Sequence, residues 1–218
     1  MNKRYRVLFF DFDGTICDTY EGIEQILDLT FAHYGLDVDR ARYRSFVGPP
    51  LNETFEQLIG DRERAYEAVG YFRNLYVSEQ AIYKTCLYDG IAEVLERAHA
   101  SGYTVAVATC KKQEEAERLL EHFGLSEHID FVSGLCYHVR ETKTQVLQYA
   151  LDALGVSASE CLMIGDTRYD VEGAADVRMD CALCLWGFGD YAAIRNSNVV
   201  MRVRSPRELA ERLLAATE

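Results

Sequence analysis

The chain has only three prolines and one tryptophan in 218 residues. No proline-rich linker, low-complexity run or internal repeat divides it. Its length therefore suits one large domain, or a core with one inserted module. Basic residues are also scarce. There are 23 Lys and Arg against 35 Asp and Glu, a formal charge of −12. The pI is about 4.9. No basic tail offsets this balance, so neither a nucleic-acid polymer nor an anionic membrane is expected as a partner. No N-terminal apolar leader or bilayer-spanning run is visible either, and the expectation is a cytoplasmic protein.

A paired cysteine framework is missing as well. Seven cysteines without a secretion signal argue for reduced thiols. Cys181 and Cys184 have the spacing of a redox or metal pair, but they lie in an apolar run. Residues three apart on a strand face opposite sides, and no second pair completes a zinc site. They read as packing residues.

What the chain does have is a set of apolar runs that end in polar side chains. Val7-Leu8-Phe9-Phe10 reads as a strand buried on both faces, and Asp11-Phe12-Asp13-Gly14-Thr15 follows it directly. Two acids at a buried strand tip are costly unless something pairs with them. Residues two apart on a strand point to the same side. After Val107-Ala108 comes Thr109, with Cys110 and Lys111 behind it. After Met163-Ile164 comes Gly165-Asp166-Thr167-Arg168-Tyr169-Asp170. A further lysine, Lys143, opens the helical segment before that third run.

Between Thr15 and about Tyr83 the pattern is helical. Ile23, Ile26, Leu27, Thr30, Phe31 and Tyr34 share one face, and Gly35 stops that helix. Pro50 suits the first position of a second helix carrying Leu51, Thr54, Phe55, Leu58 and Ile59. A third carries Tyr66, Val69, Arg73, Tyr76 and Gln80 inward. From Tyr88 onward helix and strand alternate. Ile91 to Ala98 is a helix and Thr104 to Ala108 a strand. Ala116 to Phe123 is a helix, Phe131-Val132 a short strand, and Val146 to Leu154 a helix. Cys161 to Ile164 and Ala182 to Leu185 are strands. Ser205-Pro206-Arg207-Glu208 is a capping box that opens a terminal helix. Such alternation implies an α/β, doubly wound parallel sheet. Residues 1–16 and 84–218 would form this core, with residues 17–83 inserted as a helical cap.

Ligands of parallel α/β sheets bind at the carboxyl ends of the strands. Phosphoryl transfer needs an in-line nucleophile, a proton donor for the leaving oxygen, and cationic or hydrogen-bonding groups for the phosphoryl oxygens. Asp11 can be the nucleophile and Asp13 the acid, then the base. Thr109 and a lysine can hold phosphoryl oxygens. Asp11 with Asp166 can hold Mg²⁺, which favours a few carboxylates plus waters.

In this order the four stretches resemble the motifs of the haloacid-dehalogenase-like phosphatase superfamily. Asp11-Phe-Asp13-Gly-Thr15 matches its first motif, Thr109 its second, Lys143 its third, and Gly165 to Asp170 its fourth. The resemblance implies a cap that closes over the substrate. It also implies Mg²⁺ on the carboxylates of Asp11 and Asp166 and the backbone carbonyl of Asp13, with Asp170 in support. Gly14, Thr15 and Cys110 would complete the surroundings. Within the superfamily the chain resembles phosphoglycolate phosphatases and the related bacterial 5′-nucleotidases. Phe46-Val47-Gly48-Pro49-Pro50-Leu51 matches the specificity loop of that branch, and Arg140-Glu-Thr-Lys143 stands where many relatives have Lys-Pro-x-Pro. Gly48, Pro49, Pro50 and Arg140 are thus candidate specificity residues. Cys110 stands where Ser or Asn is commoner.

Lys111 reads as a solvated lysine at a helix start, and Lys143 is preferred over it. Arg168, Arg140 and His138 are expected at the surface, though each could face the pocket mouth. The leading function is Mg²⁺-dependent hydrolysis of a small phosphomonoester, with nucleoside 5′-monophosphate or phosphoglycolate foremost. A β-phosphoglucomutase-like phosphomutase shares Asp11 and Asp13 and stays open. So does a non-catalytic ligand-binding protein. A phosphonatase is disfavoured because no lysine lies inside the cap. The protein is expected to be a monomer or homodimer.

Overall fold

A computed structural model describes residues 5–214 of the chain. Its centre is a six-stranded sheet in the order β5-β4-β1-β6-β7-β8, with every pairing parallel. These strands are β1 (Val7–Phe10), β4 (Thr104–Lys112), β5 (Phe131–Leu135), β6 (Cys161–Gly165), β7 (Asp180–Cys184) and β8 (Val199–Val203). The chain builds outward from β1 to β4 and β5. It then returns to the other side of β1 for β6, β7 and β8. The order thus reverses at β1, the topological position at which such sheets bind ligands.

Alternation along β1 explains its unbroken apolar run. Leu8 and Phe10 enter one core layer, and Val7 and Phe9 enter the other. All four are buried, as expected for a strand covered on both faces. Helices α6 (Lys143–Leu154) and α7 (Arg168–Asp176) cover the second layer. Helices α4 (Ile91–Ala100), α5 (Gln113–His122) and α8 (Pro206–Leu214) cover the first. Half of the expected terminal capping box is present: Glu208 N–H donates to Ser205 Oγ at 3.2 Å, but the Glu208 carboxylate accepts from Arg204 N–H, at 2.8 Å, one residue before the cap.

The helical segment after β1 contains α1 (Tyr20–Tyr34), α2 (Leu51–Ile59) and α3 (Arg62–Ser78). Its entry and exit are joined by a two-residue antiparallel ribbon, β2 (Cys17–Asp18) with β3 (Cys86–Leu87). So short a ribbon carries too few residues for a periodic signal. Gly35 ends α1 in the left-handed region at φ 64°, where a side chain would be strained. Pro50 precedes α2 as its cap rather than opening it, with ψ at 126°. The buried stripe of α3 is Ala65, Ala68, Val69, Phe72 and Tyr76. Val69 and Tyr76 face inward as expected, whereas Tyr66 and Arg73 are only half-buried and Gln80 lies beyond the end of the helix.

Two further differences concern strands. β8 is formed by Val199 to Val203, a short run outside the expected elements. β4 continues through Lys112 instead of stopping at Ala108. Ala108 pairs with Ser133 and Lys112 with Leu135, so β4 holds extra residues between those two points. A bulge of this kind bends a strand and re-aims its side chains. Among the described residues, no helix is long and apolar enough to cross a membrane.

Candidate active site

The carboxyl ends of β1, β4 and β6 converge, and with them the polar side chains that follow each run. Asp11 N–H donates to Ile164 O at 2.8 Å, so the ladder between β1 and β6 extends to Asp11 and holds its backbone. The chain then curls tightly. Phe12 O accepts from the N–H groups of Ile16 and Cys17, both at 3.0 Å. Gly14 sits at φ +87°, and a Cβ there would run into the Asp166 carboxylate. Glycine is therefore required both by conformation and by space. Thr15 Oγ1 donates to Asp166 Oδ1 at 3.1 Å, and Phe188 N–H donates to Asp166 Oδ2 at 2.6 Å.

Asp170 belongs to the first turn of α7. Its Oδ2 accepts from Thr167 N–H at 2.9 Å and from Thr167 Oγ1 at 2.8 Å, which caps the helix. Its Oδ1 faces the Lys143 ammonium at 2.7 Å but outside hydrogen-bond alignment. A buried carboxylate oxygen is thus left open to a further cation. Asp11, Asp166 and Asp170 bring oxygens within 4.8 Å of one another, and all three residues are buried. Clustered hard oxygen donors fit Mg²⁺.

Lys143 opens α6, whose first turn is fixed by a capping box between Thr142 and Gln145. Its ammonium donates to Asp11 Oδ1 at 2.9 Å and to Ala108 O at 2.8 Å. Gly173 allows this approach, since a Cβ there would meet Lys143 Cγ at 2.6 Å. Burial opposes the lysine's charge, but the Asp11 and Asp170 carboxylates outweigh it and hold the ammonium well above its ordinary range. The acids feel the opposite pull. Burial first, then repulsion from Asp170, pushes Asp11 up to about 7 despite Lys143. Burial, Asp170 and Asp11 likewise raise Asp166. A divalent cation among them reverses this, because an adjacent positive charge favours the ionised form.

On β4, Thr109 is buried and its Oγ1 accepts from Lys111 N–H at 3.1 Å. Cys110 is buried too, and burial raises its thiol far above the usual range. It is a neutral packing group, not a nucleophile. Lys111 corrects the sequence reading. It is not a solvated lysine at a helix start but is only 4% exposed. The extended stretch through Lys112 points its side chain inward. Its ammonium donates to Asp13 Oδ1 at 3.0 Å and lies 5.0 Å from the centroid of the Tyr76 ring. Gly134 on β5 permits the bulge, since a Cβ there would meet Lys111 O at 2.8 Å. The two lysines are thus divided, Lys143 on Asp11 and Lys111 on Asp13.

Tyr76 and Arg73 come from α3. Arg73 pairs with Glu115 of α5 and donates to Tyr137 Oη at 3.1 Å. The sequence pattern points Arg73 and Tyr76 inward on this helix but does not signal their partners Glu115, Tyr137 and Lys111. Gly48, at φ +103°, lies against Thr167, where a Cβ would meet Thr167 Cγ2 at 2.7 Å. Pro49 lines a small cavity beside Asp13 and also a wider cleft beside α7, whereas Pro50 lines neither. Arg168 lines the wider cleft. Arg140 is not brought to the centre. It lies over the Tyr149 ring at 3.9 Å and donates to Gln113 Oε1 at 2.8 Å. His138 is exposed.

The chain belongs to the haloacid dehalogenase-like hydrolase family, whose model matches residues 8–184. It is an enzyme, a phosphatase, of that family. It is 36% identical over 195 residues to a 5′-nucleotidase of Pseudomonas aeruginosa, covering 88% of each chain. It is 33% identical over 212 residues to the tyrosine-protein kinase PtkA of Mycobacterium tuberculosis, covering 95% of this chain and 72% of that one. A crystal structure of a predicted phosphatase from Clostridium acetobutylicum superposes with a TM-score of 0.91 at 32% identity. The match covers 97% of this chain and 99% of the other.

Proposed function

We propose that the protein hydrolyses a small phosphomonoester with the help of Mg²⁺, through an aspartyl-phosphate on Asp11. The observation that carries this reading is the position of Asp11. It ends the central strand, is 2% exposed, and touches the Lys143 ammonium at 2.9 Å beside two further acids. A carboxylate fixed at a strand end beside a cation is what an in-line displacement at phosphorus requires.

Asp11 attacks phosphorus as the bond to the ester oxygen breaks. Asp13 delivers a proton to that leaving oxygen. It then takes a proton from the water that attacks the phosphoryl group, which releases inorganic phosphate and restores Asp11. Thr109 and Lys143 hold the non-bridging oxygens and their growing charge. Asp11, Asp166 and Asp170 would hold Mg²⁺ together with the Asp13 carbonyl, and the ion when bound supplies positive charge to the phosphoryl group. Residues 17–83 serve as the cap on a core of residues 1–16 and 84–218, of which 1–4 and 215–218 lie outside the described residues. Residues Phe46 to Leu51 place Gly48 and Pro49 over the centre from the cap side.

Nucleoside 5′-monophosphates and phosphoglycolate are the substrates to compare first. The Pseudomonas relative, a 5′-nucleotidase, supports the former. Purified protein should release phosphate from p-nitrophenyl phosphate with Mg²⁺, and Asp11→Asn should abolish that release. A fully active Asp11→Asn variant would refute the assignment of the nucleophile. A phosphomutase would instead return the phosphoryl group to a sugar and give little free phosphate.

A further inference from the structure

Displacement by Asp11 expels the ester oxygen toward the side of Asp13. There the structure contains a cavity of about 30 Å³ lined by Asp13, Lys111, Arg73, Tyr76, Phe72 and Leu51, among others. That is room for about two waters. Its polar wall is unusual. Lys111 and Arg73 both stand on it, Lys111 deeply buried and Arg73 partly so.

An ammonium has three donors. Lys111 uses one on Asp13 Oδ1 at 3.0 Å. A second meets Tyr76 Oη only at 3.5 Å, at the limit of a hydrogen bond. The third has no hydrogen-bond partner among the described residues, only the faces of the Phe12 and Tyr76 rings at 5.9 and 5.0 Å, although the residue is only 4% exposed. Buried donors are ordinarily satisfied, and leaving a charged one unmet is costly. Arg73 is different: its charge is already paired with Glu115, and it also donates to Tyr137. Lys111 is the cation on this wall that touches Asp13, so its open donor is the one placed beside the leaving oxygen.

We propose that Lys111 is a specificity residue that binds an anionic group carried by the leaving group, so that the preferred substrates are short phosphomonoesters bearing a second negative charge. This rests on the phosphatase reading above and narrows it. A carboxylate one carbon from the ester oxygen accepts a charge-assisted bond from the free Lys111 donor. Tyr76 and Phe72 close round the short carbon chain. A nucleoside leaving group is neutral there and far larger than the cavity. If Lys111 instead gripped the phosphoryl group itself, its removal would weaken every substrate alike.

The test compares 2-phosphoglycolate, ethyl phosphate and adenosine 5′-monophosphate as substrates of the full chain with Mg²⁺. Ethyl phosphate keeps the short chain and replaces the carboxylate by a methyl group. The wild type should favour 2-phosphoglycolate over ethyl phosphate in kcat/KM by at least about tenfold, the worth of one charged hydrogen bond. Lys111→Met should bring that ratio close to one, and Lys111→Arg should keep part of it. Calorimetric binding of the same esters to Asp11→Asn should show the same order without turnover. Equal wild-type rates for the two short esters, or a preference for the nucleotide, would overturn the proposal with no variant needed. A ratio that survives in folded Lys111→Met would overturn it too. Loss of all turnover with the binding order intact would instead count against the phosphatase chemistry alone.

Discussion

The Lys143 ammonium stands between Asp11 and Asp170, 2.9 Å from one carboxylate oxygen and 2.7 Å from the other. All three groups are buried. With Asp166 the cluster carries three acids on one lysine, which leaves it short of positive charge. That deficit is the physical case for a divalent cation at this centre.

Lys143→Met removes the only cation paired with these acids among the described residues. Breaking one partner of a buried ion pair typically costs about 3–5 kcal/mol. Because Mg²⁺ would compensate the same carboxylates, the loss of thermal stability should be smaller with Mg²⁺ than in chelator. Thermal unfolding with and without Mg²⁺ measures this. Turnover should fall by about 100-fold or more, the usual worth of a group that holds transition-state charge. An equal stability loss in both conditions would separate Lys143 from the metal centre.

The titration of Asp11 has a definite sign. Its carboxyl is raised from 3.8 to about 7 by burial and by Asp170. A folded-state value raised above the unfolded one stabilises the metal-free protein at low pH. That contribution is lost as the pH climbs from near 4 through about 7. Mg²⁺ requires the ionised form, so its stabilising effect runs the other way. The gain in melting temperature on adding Mg²⁺ should therefore grow between about pH 6 and about pH 8. A gain independent of pH would contradict the assignment of Asp11 as a ligand.

Arg73 and Glu115 join α3 to α5 across the space between the helical segment and the sheet domain. Both side chains are largely buried, so Arg73→Met leaves Glu115 without its partner and should destabilise the folded protein by roughly 3 kcal/mol. The pair also holds the wall that carries Tyr76. Arg73→Met should raise KM for small esters more than it lowers kcat, as expected when closure rather than chemistry is impaired. Steady-state kinetics and chemical denaturation together check this. A variant with an unchanged KM would remove α3 from the account of substrate binding.

Much of the centre is readable in the amino-acid sequence because it sits where pattern and chemistry coincide. Phe9-Phe10 followed by Asp11, and Met163-Ile164 followed by Gly165-Asp166, are short unbroken apolar runs that end in acids, the length and composition of strands buried on both faces. Lys143 is signalled by its place at the start of a strongly capped helix. Lys111 is not readable in this way. Lys111-Lys112-Gln113-Glu114-Glu115 has the look of an exposed helix start. Only pairing with β5, and the space left by Gly134, keeps the strand going far enough to turn Lys111 inward. The partnership of Arg73 with Glu115 is equally hidden. It joins residues 42 apart in sequence, and local pattern carries no trace of it.

The nucleophile is the most direct point of attack. Rapid quenching of the full chain with substrate and Mg²⁺, followed by borohydride reduction, converts an aspartyl-phosphate to homoserine, which peptide mass spectrometry can locate. Homoserine is expected at position 11, dependent on substrate and absent from Asp11→Asn. Modification at Asp13, or efficient phosphate release with no trapped residue under single-turnover conditions, would contradict it.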